Sequence, residues 1–173
     1  MNKLTNGFIL TGAYIIIGLV LYILGPDVVT NQWVGLVKGL LLLGVLIYLS
    51  MNIRKASPNG FITYKNLFGA LFITVAVYSV AALLFDVVLF KFIDPDFMIA
   101  VKEKSIENMM DAPWAKNLSD TQMDNIISET EKGFDQAFKA KGLAIAFAMK
   151  IIPWTIISLI LAAIFKRKQP DFA

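Results

Sequence analysis

Cysteine and histidine are both missing from the 173 residues. Their absence removes disulfides, thiol nucleophiles, imidazole bases and the usual zinc ligand sets together. Charge is scarce as well: 17% of the residues are Asp, Glu, Lys or Arg, against about 25% in soluble domains. Neither a G-x-G-x-x-G nor a G-x-x-x-x-G-K-[ST] string occurs, so the glycines offer no phosphate loop. The acids between Asp94 and Asp135 lack the Asp/Gly spacing of a calcium loop and read as a solvated face. The residues therefore predict no enzyme: no catalytic group, no cofactor site and no metal site.

What is abundant is apolar sequence. Hydrophobic residues make up 57% of the chain, and the mean hydropathy is +0.67. They concentrate in four stretches, 7–25, 33–53, 66–90 and 142–165, each long enough to cross a hydrocarbon layer of ~30 Å as a helix. Helices are the expected form, because a spanning segment must satisfy its own backbone hydrogen bonds. The first stretch follows a basic residue, as a signal peptide does. Its apolar part is too long for an ordinary h-region and no A-x-A-like site follows, so an uncleaved transmembrane helix is expected.

Punctuation divides these stretches. Gly25, Pro26 and Asp27 end the first, and the turn "SPNG" at 57–60 separates the second from the third. The third leaves at "FIDPDF", where Asp94, Pro95 and Asp96 cluster. Residues 91–141 then form a polar helical segment, broken at "DAPW", with a capping box at Ser119 and Gln122. Met123, Ile126, Ile127, Thr130, Phe134 and Phe138 follow the spacing of an amphipathic helix. Between that helix and the fourth stretch the only breaker is Gly142, so one long helix is expected there, kinked at Pro153.

The fold predicted is all-α: an integral membrane four-helix bundle with a helical extramembrane insert between transmembrane helices 3 and 4. Residues 1–90 hold the first three helices, 91–141 the extracytoplasmic insert, and 142–173 the fourth helix and a basic cytoplasmic tail. Lys3, Arg54, Lys55, Lys65, Lys166, Arg167 and Lys168 fall on one side of this arrangement. Lys91, Lys102, Lys104, Lys116, Lys132, Lys139 and Lys141 are as numerous on the other side, but the first set lies in short segments and the first outer turn has no basic residue, which places both termini in the cytoplasm of a bacterial cytoplasmic (inner) membrane, multi-pass. The net charge of +3 and pI near 9.1 are topological, with no basic-aromatic patch for nucleic acid.

Three ionisable residues fall inside the spans: Lys38, Asp86 and Lys150. An isolated carboxylate at mid-bilayer costs on the order of 2.5–3.5 kcal/mol, so Asp86 is expected to have a partner or a shallow position. Ser79 and Ala82 share its helical face within about 40°. Small faces also occur at Gly35 and Gly39, which flank Lys38, and at Ala144 and Ala148. Asp86 is thus expected to pair with Lys38 or Lys150, in an intramembrane polar cluster of Lys38, Ser79, Asp86 and Lys150. A structural ion pair, a polar vestibule and a Ser-Lys nucleophile (Ser79 or Ser158 with Lys150) are the competing meanings of that cluster. Tyr14, Tyr22, Tyr48, Tyr78 and Trp154 read as packing or belt residues.

The order of these features is familiar: two tightly joined helices, a turn into "FITYKNLFGALF", a third helix ending in "FIDPDF", an amphipathic segment, and a fourth helix with a basic tail. It resembles the bacterial membrane-protein family called domain of unknown function 4199, over nearly the whole chain. The resemblance implies a small bacterial multi-pass protein and carries no activity, cofactor or site residues. An accessory, scaffold or sensor-like subunit is the expected role, with the lipid bilayer and a homo-oligomer or membrane-protein partner as its contacts. The alternative is a small oligomeric transporter or channel-like protein using a polar vestibule around Asp86.

Overall fold

A computed structural model describes residues 3–167; Lys168 and the remainder of the basic tail lie outside the described residues. Every regular element among them is helical. Four helices are long and apolar enough to cross a membrane, judged by length and composition. They are α1 (Lys3–Leu24), α3 (Gln32–Lys55), α4 (Tyr64–Val87) and α7 (Ala140–Phe165). Such composition marks a membrane protein.

Local chemistry sets the element ends. Gly25 adopts φ 94° and releases the chain into the short α2 (Pro26–Val29), with Pro26 at its first turn. The Asn31 side chain accepts from Trp33 N–H and caps α3. In the "SPNG" turn Asn59 and Gly60 both carry positive φ, 54° and 72°. Thr63 caps α4 by accepting from Asn66 N–H. The third hydrophobic helix does not stop near residue 90 as expected. It continues as a wider π-type turn, Val88–Ile93, and Asp94 then accepts from Phe97 N–H to start α5 (Pro95–Met110). The capping box at Ser119 and Gln122 opens α6 (Asp120–Gln136) with both of its hydrogen bonds made.

One expectation fails. α6 and α7 are not one continuous helix: residues Ala137 to Lys139 turn between them. Gly142 explains the break, because a Cβ there would collide with the carbonyl oxygens of Gln136 and Ala137. Its bare backbone lets the last carbonyls of α6 fold against the first turn of α7. Pro153 lies within α7, which runs past it as one element.

The four long helices share one core. α4 is central: Leu67, Leu71, Val75, Tyr78 and Ala82 on its length are buried, packed with Leu10 of α1, Leu46 and Leu49 of α3, and Leu161 of α7. α1 and α4 approach closely at Gly7, where a Cβ would meet the Val77 side chain. The glycines expected to serve that purpose in α3 do not, since nothing stands within 4 Å of a Cβ at Gly35 or Gly39. These positions face open space, so closeness is supplied by α1 instead. At the far end, Ile62 and Arg167 exchange two backbone hydrogen bonds, each 2.9 Å. That bridge joins the turn before α4 to the end of α7.

The outward faces of the long helices carry Ile16, Leu36, Leu40, Leu84, Ile152 and Ile164, all more than half exposed. α5 and α6 are different. α6 holds no buried residue, and its apolar stripe is half-buried against α5, where Thr130 Oγ1 lies 3.6 Å from Met109 Sδ. α5 is tied to α2 by Lys104 Nζ on Asp27 Oδ1 at 3.0 Å and by Asn108 Nδ2 on Thr30 Oγ1 at 3.1 Å.

Candidate functional site

Helix direction decides which polar groups can meet. Tyr14 pairs with Asp86 and Tyr22 with Asp94, both across 72 positions. A constant offset means α1 and α4 run parallel. α7 runs against α4, since Lys150 meets Asp86 while Trp154, four residues later, packs on Tyr78, eight residues earlier. This geometry carries Tyr14, Asp86 and Lys150 to one level.

Asp86 meets Lys150 rather than Lys38. Lys150 Nζ lies 2.8 Å from Asp86 Oδ2, with side chains 17% and 23% exposed. The Tyr14 hydroxyl donates to both carboxylate oxygens of Asp86, 2.9 Å each. It also accepts from Lys150 Nζ at 3.0 Å. Every oxygen in the triad thus has a charged or hydrogen-bonded neighbour, which is what makes an ion pair tolerable out of water. Lys38 Nζ stands 4.1 Å from the centroid of the Tyr14 ring, a cation–π placement. Two ammonium groups therefore flank one carboxylate, leaving one positive charge in excess.

Ser79 lies on the same side of α4, one fully buried turn-pair below. Its hydroxyl has no hydrogen-bond partner among the described residues, so it belongs to the packed interior. Ser158 donates to Trp154 O at 2.8 Å, a bond within its own helix. Tyr14 is the member that sequence reasoning missed. A signal was present: tyrosines at 14 and 22 and aspartates at 86 and 94 repeat with the same eight-residue step.

Above the cluster lies a cavity of about 270 Å³. Tyr14, Lys38 and Asp86 form its floor, Gly18 and Phe85 part of its sides, and Met98 and Phe138 its cover. The cover comes from α5 and the α6–α7 turn. Toward the other end the core is filled by Leu46, Leu49, Leu67, Leu71 and Val75, all fully buried. The second pair sits at the cavity rim: Tyr22 O–H donates to Asp94 Oδ2 at 2.6 Å, while the other Asp94 oxygen caps α5. Tyr22 also packs on Phe97 with ring centroids 4.8 Å apart.

Chemically, the floor offers a fixed positive excess, one bound carboxylate and a phenol, under mostly apolar walls. Such a site favours binding of an anion or an amphipath. Comparison with known proteins gives a single finding. The sequence profile of the family described as "Protein of unknown function (DUF4199)" matches residues 5–167. No curated protein and no solved structure matches the chain.

Proposed function

The chain belongs to that family, whose description assigns no activity, and we propose from its geometry that it is a non-enzymatic, sensor-like accessory protein of a membrane. In this reading α1, α3, α4 and α7 form a four-helix bundle across the bacterial cytoplasmic membrane. α5 and α6 form a helical insert on the extracytoplasmic side, and both termini are cytoplasmic. Arg54 and Lys55 at the end of α3, with Lys166 and Arg167 after α7, support that orientation.

One observation carries the functional part. The cavity is built jointly by the intramembrane polar groups, Tyr14, Lys38 and Asp86, and by the insert, through Met98 and Phe138. A change at the floor therefore alters what the insert rests on. The insert is the part able to respond, since α6 has no buried residue to hold it. A transporter reading draws on the same cavity, but the leucines packed beyond the cluster fill the space that a route would need.

Hydrogen exchange on the purified chain tests the coupling. Asp86→Asn should speed exchange in α5 and α6 while leaving the inner half of α4 protected. Unchanged exchange in both insert helices would defeat the reading. Orientation is checked separately, because the chain has no cysteine of its own. A cysteine at Glu131 should react with an impermeant maleimide in intact cells, and one at Lys55 only after permeabilisation.

A further inference from the structure

The space around Lys38 does not end with the cavity. A second hollow of about 240 Å³ lies between α1 and α3, and Lys38 and Leu21 line both. Apart from Lys38 its walls are aliphatic: Ile16, Val20, Val37 and Leu41 among them, each at least half exposed on the outer surface of the helices. Lys38 is thus the junction between an apolar groove open to the bilayer and a cavity with a polar floor.

Its charge is the unbalanced one. Asp86 is engaged by Lys150 at 2.8 Å, and among the described residues Lys38 has no carboxylate within ion-pair distance. Its ammonium is directed at the Tyr14 ring, toward the interior, when its long stem could have carried it to the interface. A half-buried cation held in that way, beside an apolar groove, suits an anionic head group.

We propose that Lys38 binds a long-chain carboxylate taken laterally from the bilayer, with its head on the Lys38 ammonium and its chain in the α1–α3 groove. The assignment deepens the sensor reading and rests on it for the meaning of occupancy. Depth selects the head group: Lys38 lies six positions into α3, which starts at Gln32, about 9 Å along the helix. A carboxylate attached directly to its chain reaches that level without dragging a hydrated glycerol head behind it. Charge selects it again, because one ammonium in excess balances one anionic charge and Asp86 repels a second. The two hollows together fall within the usual range of ligand sites, about 300–1,000 Å³.

The test is equilibrium binding of radiolabelled hexadecanoate to the full chain in phosphatidylcholine nanodiscs. Saturable binding is expected, weakened at least about tenfold by Lys38→Met and kept within about threefold by Lys38→Arg. Leu41→Trp, which fills the groove without touching the cluster, should weaken it comparably. Hexadecanol, the same chain without the charge, should bind at least about tenfold less tightly. Equal binding of hexadecanol, or wild-type binding by both Lys38→Met and Leu41→Trp, overturns the proposal. So does displacement by phosphatidylglycerol at equal mole fraction, which would give the groove to a phosphodiester lipid. The two readings separate cleanly: hexadecanoate bound without any change of exchange in α5 and α6 keeps the ligand and removes the sensor. Exchange that responds to Asp86→Asn in a chain that binds no hexadecanoate does the reverse.

Discussion

Tyr14–Asp86 and Tyr22–Asp94 repeat one pairing, a tyrosine of α1 with an aspartate 72 positions on, the first on α4 and the second just past its π-type extension. Their surroundings separate them. The first lies within the apolar length of α1 and α4, where Asp86 needs Lys150 and a phenol to be tolerated. The second lies at the end of the π-type turn, where Asp94 spends its other oxygen on the first turn of α5. One pair holds charge between the long helices; the other holds α5 to the end of α4. Identical residues thus take different duties according to depth, and the outer pair can fail without leaving a charge stranded.

That contrast predicts a ranked series. Asp86→Ala should be the most damaging change, costing about 3 kcal/mol in unfolding from detergent, because Lys150 is left without the carboxylate it pairs with. If its cost were no larger than that of Asp94→Ala, the distinction by depth would be wrong. Replacing both partners, Asp86→Leu with Lys150→Met, should recover more than half of that loss, since no buried charge is left without its mate. Tyr14→Phe removes hydrogen bonds to a charged group and should cost about 1–2 kcal/mol; Tyr22→Phe should cost less, in the same assay. Asp94→Ala should cost about 1 kcal/mol through the lost cap, and its effect on exchange should be confined to α5. The smallest effect is expected of Lys104, whose hydrogen bonds to Glu107 and Asp27 raise its pKa above the ordinary lysine value. A raised pKa stabilises below the unfolded value and is lost as pH rises through the folded one. Protection of the α5 amides, corrected for the intrinsic rise of exchange with pH, should therefore be flat from pH 6 to pH 9 and fall only above about pH 10.4.

The long helices were legible because unbroken apolar runs have few other uses, and the cap at Ser119 because its spacing with Gln122 is local. Lys150 as the partner of Asp86 was one of two choices. The glycines beside Lys38 suggested the wrong one, because sequence gives the small face of a helix but not the direction in which tertiary packing turns it. The break before α7 was hidden for a similar reason: Gly142 matters through the carbonyls of Gln136 and Ala137, a contact that exists only after the turn has formed. Tyr14 was hidden by its type, since a tyrosine in an apolar run serves equally well as packing. Only the matched spacing of 14 and 22 with 86 and 94 betrays it, and that spacing gains meaning once α1 and α4 are known to be parallel.

The backbone bridge between Ile62 and Arg167 gives α7 a fulcrum. With its C-terminal tip clamped to the start of α4, any tilt of this 26-residue rod, about 39 Å long, would be felt most at the opposite tip. A tilt of about 5° at the clamp would sweep that tip by about 3 Å over the rod's length, with Lys150 travelling less because it sits nearer the fulcrum. The lever would magnify a slight shift of one ammonium into a displacement of the turn that roofs the cavity.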